Sequence, residues 1–349
     1  MEEWKYQVAH AIKTSSQLSE YVDLSEKEKE DIDKVIGVYK MSITPYYAGL
    51  MDKFDHNCPI RKMIIPSLLE FNGDFSPNIE KENSYEEVPG FRQEYKDKCT
   101  ILLTYVCPNY CRYCFRKFWV GKNNRTLSNA QIDAIIDRIL NDENIQEVCI
   151  SGGEPLVVDD EKIKYLLDKI KSIDHVKVVR LFTRSLVFMP QRITQNLVET
   201  LRLYPTLYVC THFNHPKEIT EEAEMACKRL IENGIPVLNQ SVLLKGVNDS
   251  TEVMRQLLWK LIQIKVKPFY LYHCINTTGT HYLVTKLSVG TEIIRDLYCH
   301  MSALAIPLYI APLYDGKVLL MPDYYKTDDA GKQYFESQTG ERFYIEELE

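Results

Sequence analysis

Between Cys99 and Ala311 the chain alternates short apolar runs with longer stretches whose apolar residues recur at helical spacing. The runs Cys99 to Tyr105, Glu147 to Ser151, Val176 to Phe182, Leu207 to Thr211, Pro236 to Leu244, Pro268 to His273 and Leu308 to Ala311 read as strands. Between them, Ser128 to Asn141, Asp160 to Ser172, Thr194 to Tyr204, Thr220 to Asn233, Ser250 to Ile264 and Ser288 to Ser302 read as helices. Strand followed by helix, repeated six times, predicts an α/β fold with a parallel sheet under a cover of helices. Right-handed crossovers curl such a sheet, though periodicity leaves open whether it closes.

The preceding residues have a different texture. Ser25 leads into a charged helical stretch, Glu26 to Met41, in which Ile32, Val35, Ile36 and Tyr39 fall on one face. Shorter helices are expected after Pro45 and over Pro59 to Phe71, and the Gly-, Pro- and Asn-containing stretch Asn72 to Glu87 reads as a connection. Three segments follow: a helical N-terminal region over 1–95, the α/β body over 96–305, and a short C-terminal extension over 306–349.

Composition narrows the function classes. A length of 349 residues fits two average domains or one α/β barrel. A net charge of −7 gives no basic footprint for nucleic acid. No apolar run approaches the roughly 20 residues that cross a bilayer. The first residues, Met1-Glu-Glu-Trp-Lys, lack a signal-peptide pattern, so a cytoplasmic protein with no membrane partner is expected.

The ten cysteines are scattered, which in a chain without a secretory leader argues for free thiols. Three of them stand close together in Cys107-Pro-Asn-Tyr-Cys111-Arg-Tyr-Cys114-Phe-Arg-Lys. Structural zinc normally takes four Cys or His ligands, and no second pair is near. Three thiolates would leave one iron of a four-iron cube without a protein ligand, open for chemistry. Arg112, Arg116 and Lys117 could oppose the cluster's negative charge or hold an anion. The other polar candidates also fall at strand ends, where α/β sheets place their sites: Ser151-Gly152-Gly153-Glu154, Arg184, Ser185, Thr211, His212, Asn239, Gln240 and Tyr272. Gly152 and Gly153 would let backbone amides approach a ligand, or simply make a turn. Lys317, in Tyr314-Asp-Gly-Lys-Val, would ordinarily be an exposed turn residue, but the following Val-Leu-Leu-Met could carry its amine inward and desolvate it.

The cysteine loop resembles the signature of the radical S-adenosylmethionine enzymes, and its Arg-Tyr-Cys-Phe-Arg-Lys flank resembles the lysine 2,3-aminomutase branch. The likeness continues through Met41-Ser-Ile-Thr-Pro-Tyr-Tyr47, Pro190-Gln-Arg-Ile-Thr194, Thr211-His-Phe-Asn-His-Pro216, Val242-Leu-Leu-Lys-Gly-Val-Asn-Asp249 and Gly316-Lys-Val-Leu-Leu-Met-Pro322, so it spans about residues 24 to 325. It implies a partial (β/α)6 barrel, open on one side. It implies a 4Fe-4S cluster on Cys107, Cys111 and Cys114, with S-adenosylmethionine bound at Gly152, Gly153 and Glu154 and in a pocket with Arg184, His212 and Gln240. It implies pyridoxal 5'-phosphate held by Lys317, with Tyr95 and Tyr272 lining the pocket. Phosphate cations are expected at two places that here carry Glu94 and Lys98, and the first of these departs from the pattern. Arg116 matches the arginine that grips a free amino acid's carboxylate, and a flavodoxin- or ferredoxin-type donor would supply the electron.

The same resemblance implies a specificity. Lysine 2,3-aminomutase holds the distal ammonium between two aspartates, and the matching positions here are Ile275 and Ile310. An ammonium against two isoleucines loses hydration without gaining a partner. A neutral, apolar, leucine-like side chain is therefore expected. The family's zinc uses one barrel cysteine and several near the carboxyl terminus; this chain has Ser250 at the first and no cysteine after Cys299, so no zinc is expected, and a homo-oligomer is left open. Competing readings are a lysine or glutamate mutase, a mutase acting on a protein-bound lysine, a family enzyme that has abandoned pyridoxal phosphate, and an electron-transfer protein.

Overall fold

The computed structural model describes residues 2–72, 88–117, 121, 125–313, 316–321, 325–336 and 341–344. Beyond its first residue, the connection expected over 72–87 lies outside them, as does the side chain of Glu94. Nine strands stand side by side in chain order. Strand β1 (Phe91–Tyr95) runs antiparallel to β2 (Lys98–Thr104). From β2 the sheet runs parallel through β3 (Glu147–Gly152), β4 (Val178–Phe182), β5 (Leu207–Thr211), β6 (Val237–Leu243), β7 (Lys267–His273) and β8 (Leu308–Leu313). Strand β9 (Gly316–Leu319) folds back antiparallel on β8. The order is linear, with no ladder between first and last strand among the described residues, so this is an open sheet and not a closed barrel. It nevertheless curls: a methyl group added at Gly316 would sit 4.0 Å from the Tyr95 ring.

One face of the sheet makes the core. Val148, Ile150, Val179, Leu181, Val209 and Leu271 pack with apolar stripes of the crossover helices, such as Ile132, Ile135 and Ile139 or Leu257, Leu258 and Leu261. Each such side chain contributes roughly 1.5–3 kcal/mol by leaving water. The helices start where expected because their caps are good. Ser128 and Gln131 form a reciprocal capping box, and Ser250 Oγ accepts the Val253 amide, which gives Ser250 an ordinary helix-capping role.

The opposite face is mixed in polarity. Side chains alternate along a strand and register partners share a face. Register therefore lines up Thr100, Cys149, Arg180 and Tyr208 in one row and Tyr272, Ile310 and Leu319 in another; Gln240 pairs with Tyr270, and Pro312 with Lys317. This concave face is the lumen.

Four departures from the sequence reading stand out. Residues 91–95, placed with the helical N-terminal region, form an edge strand of the main sheet. Helices at Glu3–Ala9 and Ser15–Leu18 fall in the region read as helical but had not been placed individually. Strand β9 was not anticipated either, nor was a second sheet made by β10 (Tyr325–Thr327), β11 (Gln333–Glu336) and β12 (Arg342–Tyr344). Among the described residues no helix is long and apolar enough to cross a membrane.

Candidate active site

The loop from Cys107 to Lys117 leaves the carboxyl end of β2 and is pinned from below by the N-terminal region. Tyr110 donates its amide to the Ser42 carbonyl (2.8 Å) and Arg112 its amide to Met63 (2.8 Å), while Ser42 Oγ donates to the Pro108 carbonyl (3.0 Å). A buried ion cluster holds the loop from the side. Glu70 accepts from Arg112 Nε (2.9 Å), Arg112 Nη2 and Lys117 Nζ (2.9 Å), and Lys117 Nζ also donates to the Gly279 carbonyl (2.7 Å). Two of the three cations expected to face a cluster are thus bound to Glu70, whose single charge offsets one of the two and which sequence alone did not connect to them.

All three loop cysteines are free and half-buried. The thiols of Cys107 and Cys111 both donate to the Asn109 carbonyl, at 3.4 and 3.8 Å, so they lie on one side of the loop. Burial holds the Cys107 thiol well above its ordinary range and pushes Cys114 up to about 11, with Cys111 beside each adding to the effect. A bound metal must therefore draw off these protons. Among the described residues no three His, Cys, Asp or Glu side chains converge on one point. Three free thiols on one short loop, with a guanidinium on Cys111, fit a cluster.

The glycine pair makes a tight turn against the strand beside it. The amides of Gly153 and Glu154 donate to the carbonyls of Thr104 (2.7 Å) and Val106 (2.8 Å) and are not free for a ligand. Gly152 has φ of +141°, and a Cβ there would lie 2.2 Å from the Thr104 carbonyl oxygen; one at Gly153 would lie 2.4 Å from that of Val106. Glycine is required so that β3 can press against the backbone leading to Cys107. Glu154, buried, accepts from Thr183 Oγ1 (2.6 Å), the Arg184 amide (2.9 Å) and the Leu156 amide (3.0 Å). Burial raises its pKa and these donors oppose the rise. It binds the turn after β3 to the turn after β4.

Arg184 is similarly occupied. Nε donates to the His212 carbonyl (3.0 Å), Nη2 to Tyr47 Oη (3.0 Å) and to Glu218, and Nη1 to Cys111 Sγ (2.9 Å). His212 is driven down to about 3 by burial and then by Arg184, so it is neutral at neutral pH. Among the described residues Gln240 Nε2, on the lumen face, is buried and has no partner. Buried polar atoms normally find one, so it suits a polar ligand such as S-adenosylmethionine; Thr211 Oγ1, also without one, belongs by strand alternation to the opposite face.

Around the lumen, Arg116 Nη1 donates to Ser151 Oγ on β3 (3.2 Å). Across from it, Lys317 Nζ donates to Tyr270 Oη on β7 (3.0 Å) and lies 4.4 Å from that ring's centre. Tyr270 packs edge-on against Tyr272 at 5.6 Å. Burial raises the Tyr272 pKa, and Tyr270, Arg180 and Tyr95 all bear on it, so these groups share one lumen. Lys98 Nζ sits 3.6 Å above the Tyr95 ring. The expectation of a desolvated Lys317 is corrected: Lys317 is exposed, and Val318, Leu319 and Met321 after it are 45%, 48% and 60% exposed. On a short edge strand an apolar run has nothing above it to bury against. The residues after β7 carry half-buried Ile275, whose carbonyl accepts from Thr280 Oγ1 (2.7 Å), while Ile310 is buried beside Tyr272. The ion pair of Arg180 with Glu147 on the lumen face was missed, because single charges inside apolar strands carry no motif.

Residues 101–258 match the profile of the Radical SAM superfamily. The chain is 40% identical over 327 residues to L-lysine 2,3-aminomutase of Clostridium subterminale, covering 92% of this chain and 78% of that one. It is 38% identical over 329 residues to glutamate 2,3-aminomutase of Clostridioides difficile (strain 630), covering 93% and 78%. Among solved structures it is similar to a radical SAM methyltransferase from Sphaerobacter thermophilus, at 17% identity and a TM-score of 0.46 over 64% of this chain and 68% of that one. That likeness is too distant to carry an argument.

Proposed function

The chain belongs to the lysine 2,3-aminomutase family of radical S-adenosylmethionine enzymes, and we propose that it converts a free α-amino acid with a neutral, leucine-like side chain into the β-amino acid. When bound, the cluster and S-adenosylmethionine would supply a carbon radical, and pyridoxal phosphate a conjugated π system that stabilises radical character while the substrate's nitrogen moves from its α to its β carbon. An external one-electron donor of flavodoxin or ferredoxin type feeds the cluster. Cys107, Cys111 and Cys114 hold the iron, and Gln240, whose Nε2 has no partner among the described residues, offers a contact to S-adenosylmethionine with neutral His212, beside the Gly152–Glu154 turn. Lys317 offers its amine to the coenzyme, Tyr95 and Tyr272 line the pocket, and Lys98 is the cation for the phosphate. Arg116 fixes the substrate carboxylate, a role suited to a permanently charged fork.

The observation that carries this reading is that Lys317 and Arg116 approach one lumen from opposite sides, Lys317 on Tyr270 of β7 and Arg116 on Ser151 of β3. Ile275 and Ile310 support the substrate class, since burying an ammonium against them costs several kcal/mol, enough for selection by orders of magnitude. The test is anaerobic reconstitution with iron, sulfide, pyridoxal phosphate and S-adenosylmethionine, then mass spectrometry over a panel of amino acids. Higher catalytic efficiency on lysine than on every neutral amino acid would overturn the assignment.

The exposure of Lys317, with Glu94 at a phosphate position, favours one second reading, a family enzyme without pyridoxal phosphate. A visible absorbance band of bound coenzyme, abolished by K317A, separates the two.

A further inference from the structure

We infer that Arg184 is a positioning residue for the iron-sulfur cluster: it donates a charge-assisted hydrogen bond to the sulfur of Cys111, held in aim by Glu218 and Tyr47, and thereby raises the cluster's reduction potential. The inference rests on the cluster-bearing part of the proposed function and not on its substrate or its pyridoxal phosphate.

Glu218 is fully buried, and every acceptor position it has is in use. One oxygen takes Tyr47 Oη (2.5 Å) and Arg184 Nη2; the other takes the amides of Asn214 (2.6 Å) and His215 (3.1 Å). Tyr47, itself fully buried, accepts Arg184 Nη2 at 3.0 Å. With Nε on the His212 carbonyl, the guanidinium plane is fixed on two edges, and its remaining nitrogen, Nη1, meets Cys111 Sγ at 2.9 Å. Tyr113 of the cysteine loop closes the other side: its ring lies 5.8 Å from the guanidinium carbon, and its hydroxyl accepts from Asn214 Nδ2 at 2.6 Å.

A plain structural arginine would need only the carboxylate. Here four separate segments, carrying Tyr47, Tyr113, Arg184 and Asn214 with Glu218, converge so that one N–H points at a cluster ligand. Hydrogen bonds to the sulfurs are a principal control on cluster potentials, and groups behind the ligands orient them. Donation from a cation withdraws density from the thiolate and favours the reduced, more negative cluster.

The experiment uses the full chain reconstituted anaerobically with iron and sulfide, titrated potentiometrically by visible absorbance and electron paramagnetic resonance. Wild type, R184Q, R184K and Y47F are compared with no S-adenosylmethionine, pyridoxal phosphate or amino acid present. The expected result is a lower potential and altered resonance line shape in R184Q, a smaller drop in R184K, and the smallest drop of the same sign in Y47F. An R184Q potential equal to wild type overturns the inference, as does a difference that emerges only when S-adenosylmethionine is added, since Arg184 would then serve that ligand. If R184Q takes up no iron, Y47F decides: it leaves the arginine in place, and an unchanged potential there overturns the inference. Failure of any of these leaves the substrate assignment untouched, because no amino acid is in the assay.

Discussion

The two ends of the lumen are built in opposite ways. At the cysteine end, Glu70 with Arg112 and Lys117 has side-chain exposures of 0%, 2% and 5%, and Glu218 with Arg184 has 0% and 9%. At the other end, Lys317 is exposed on an edge strand and keeps one hydrogen bond to a tyrosine. Buried ion networks are poor stabilisers overall, because desolvation offsets most of the attraction, but they tolerate only one geometry. The contrast teaches that rigidity is placed where a metal cluster must meet three sulfurs, while the lysine end stays adjustable for a coenzyme and substrates that come and go.

Glu70→Ala is the hardest blow to that contrast. It leaves two cations buried without a counter-charge, and the expected loss is about 3–5 kcal/mol of unfolding free energy. Chemical denaturation measures it. Replacing Glu70, Arg112 and Lys117 together by apolar residues should recover most of the loss while iron uptake stays impaired. If the triple variant is as unstable as Glu70→Ala, the charges are not what fixes the loop.

The opposite end should accept change with little echo at the cluster. In I275D/I310D the efficiency ratio of lysine to leucine is expected to rise at least about tenfold, or about 1.4 kcal/mol, with iron content and resonance spectrum as in wild type. An unmoved ratio removes these positions from substrate selection.

Acid should strike the cysteine end first. Burial, and then Arg184, takes His212 down to about 3; burial, and then Lys217, takes His215 down to about 4. As pH falls below about 6.5 the unfolded chain binds these protons and the folded chain does not, so stability drops on acidification down to those values. Each histidine adds up to about 1.4 kcal/mol per pH unit. H215Q should flatten the slope of unfolding free energy between about pH 6 and pH 5; an unchanged slope contradicts the assigned neutrality.

How far these features could be read from the chain follows the same division. The parallel strands and their helices were legible because alternation and caps are local, and so were the cysteines, because their spacing is. Strand β1, Phe-Arg-Gln-Glu-Tyr, was not, since a short polar edge strand carries little apolar signal. Nor was the network on Arg184, whose partners lie 34, 73 and 137 residues away along the chain. The exposure of Lys317 was hidden for another reason: Val-Leu-Leu-Met reads as buried in any sequence, and only the sheet edge shows otherwise.

The smallest expected effect is also the cleanest comparison, because one chemical change can be made at both ends. Tyr47→Phe and Tyr270→Phe each remove a single phenolic oxygen and keep the ring. At Tyr47 that oxygen is fully buried between Glu218 and Arg184, so the loss should be about 1.5–3 kcal/mol. At Tyr270 it serves an exposed ammonium that water can solvate and that keeps its place over the ring, so the loss should stay within about 0.5 kcal/mol. Thermal unfolding of the two variants reads the difference directly. Equal losses would mean that the lysine end is as firmly built as the cysteine end.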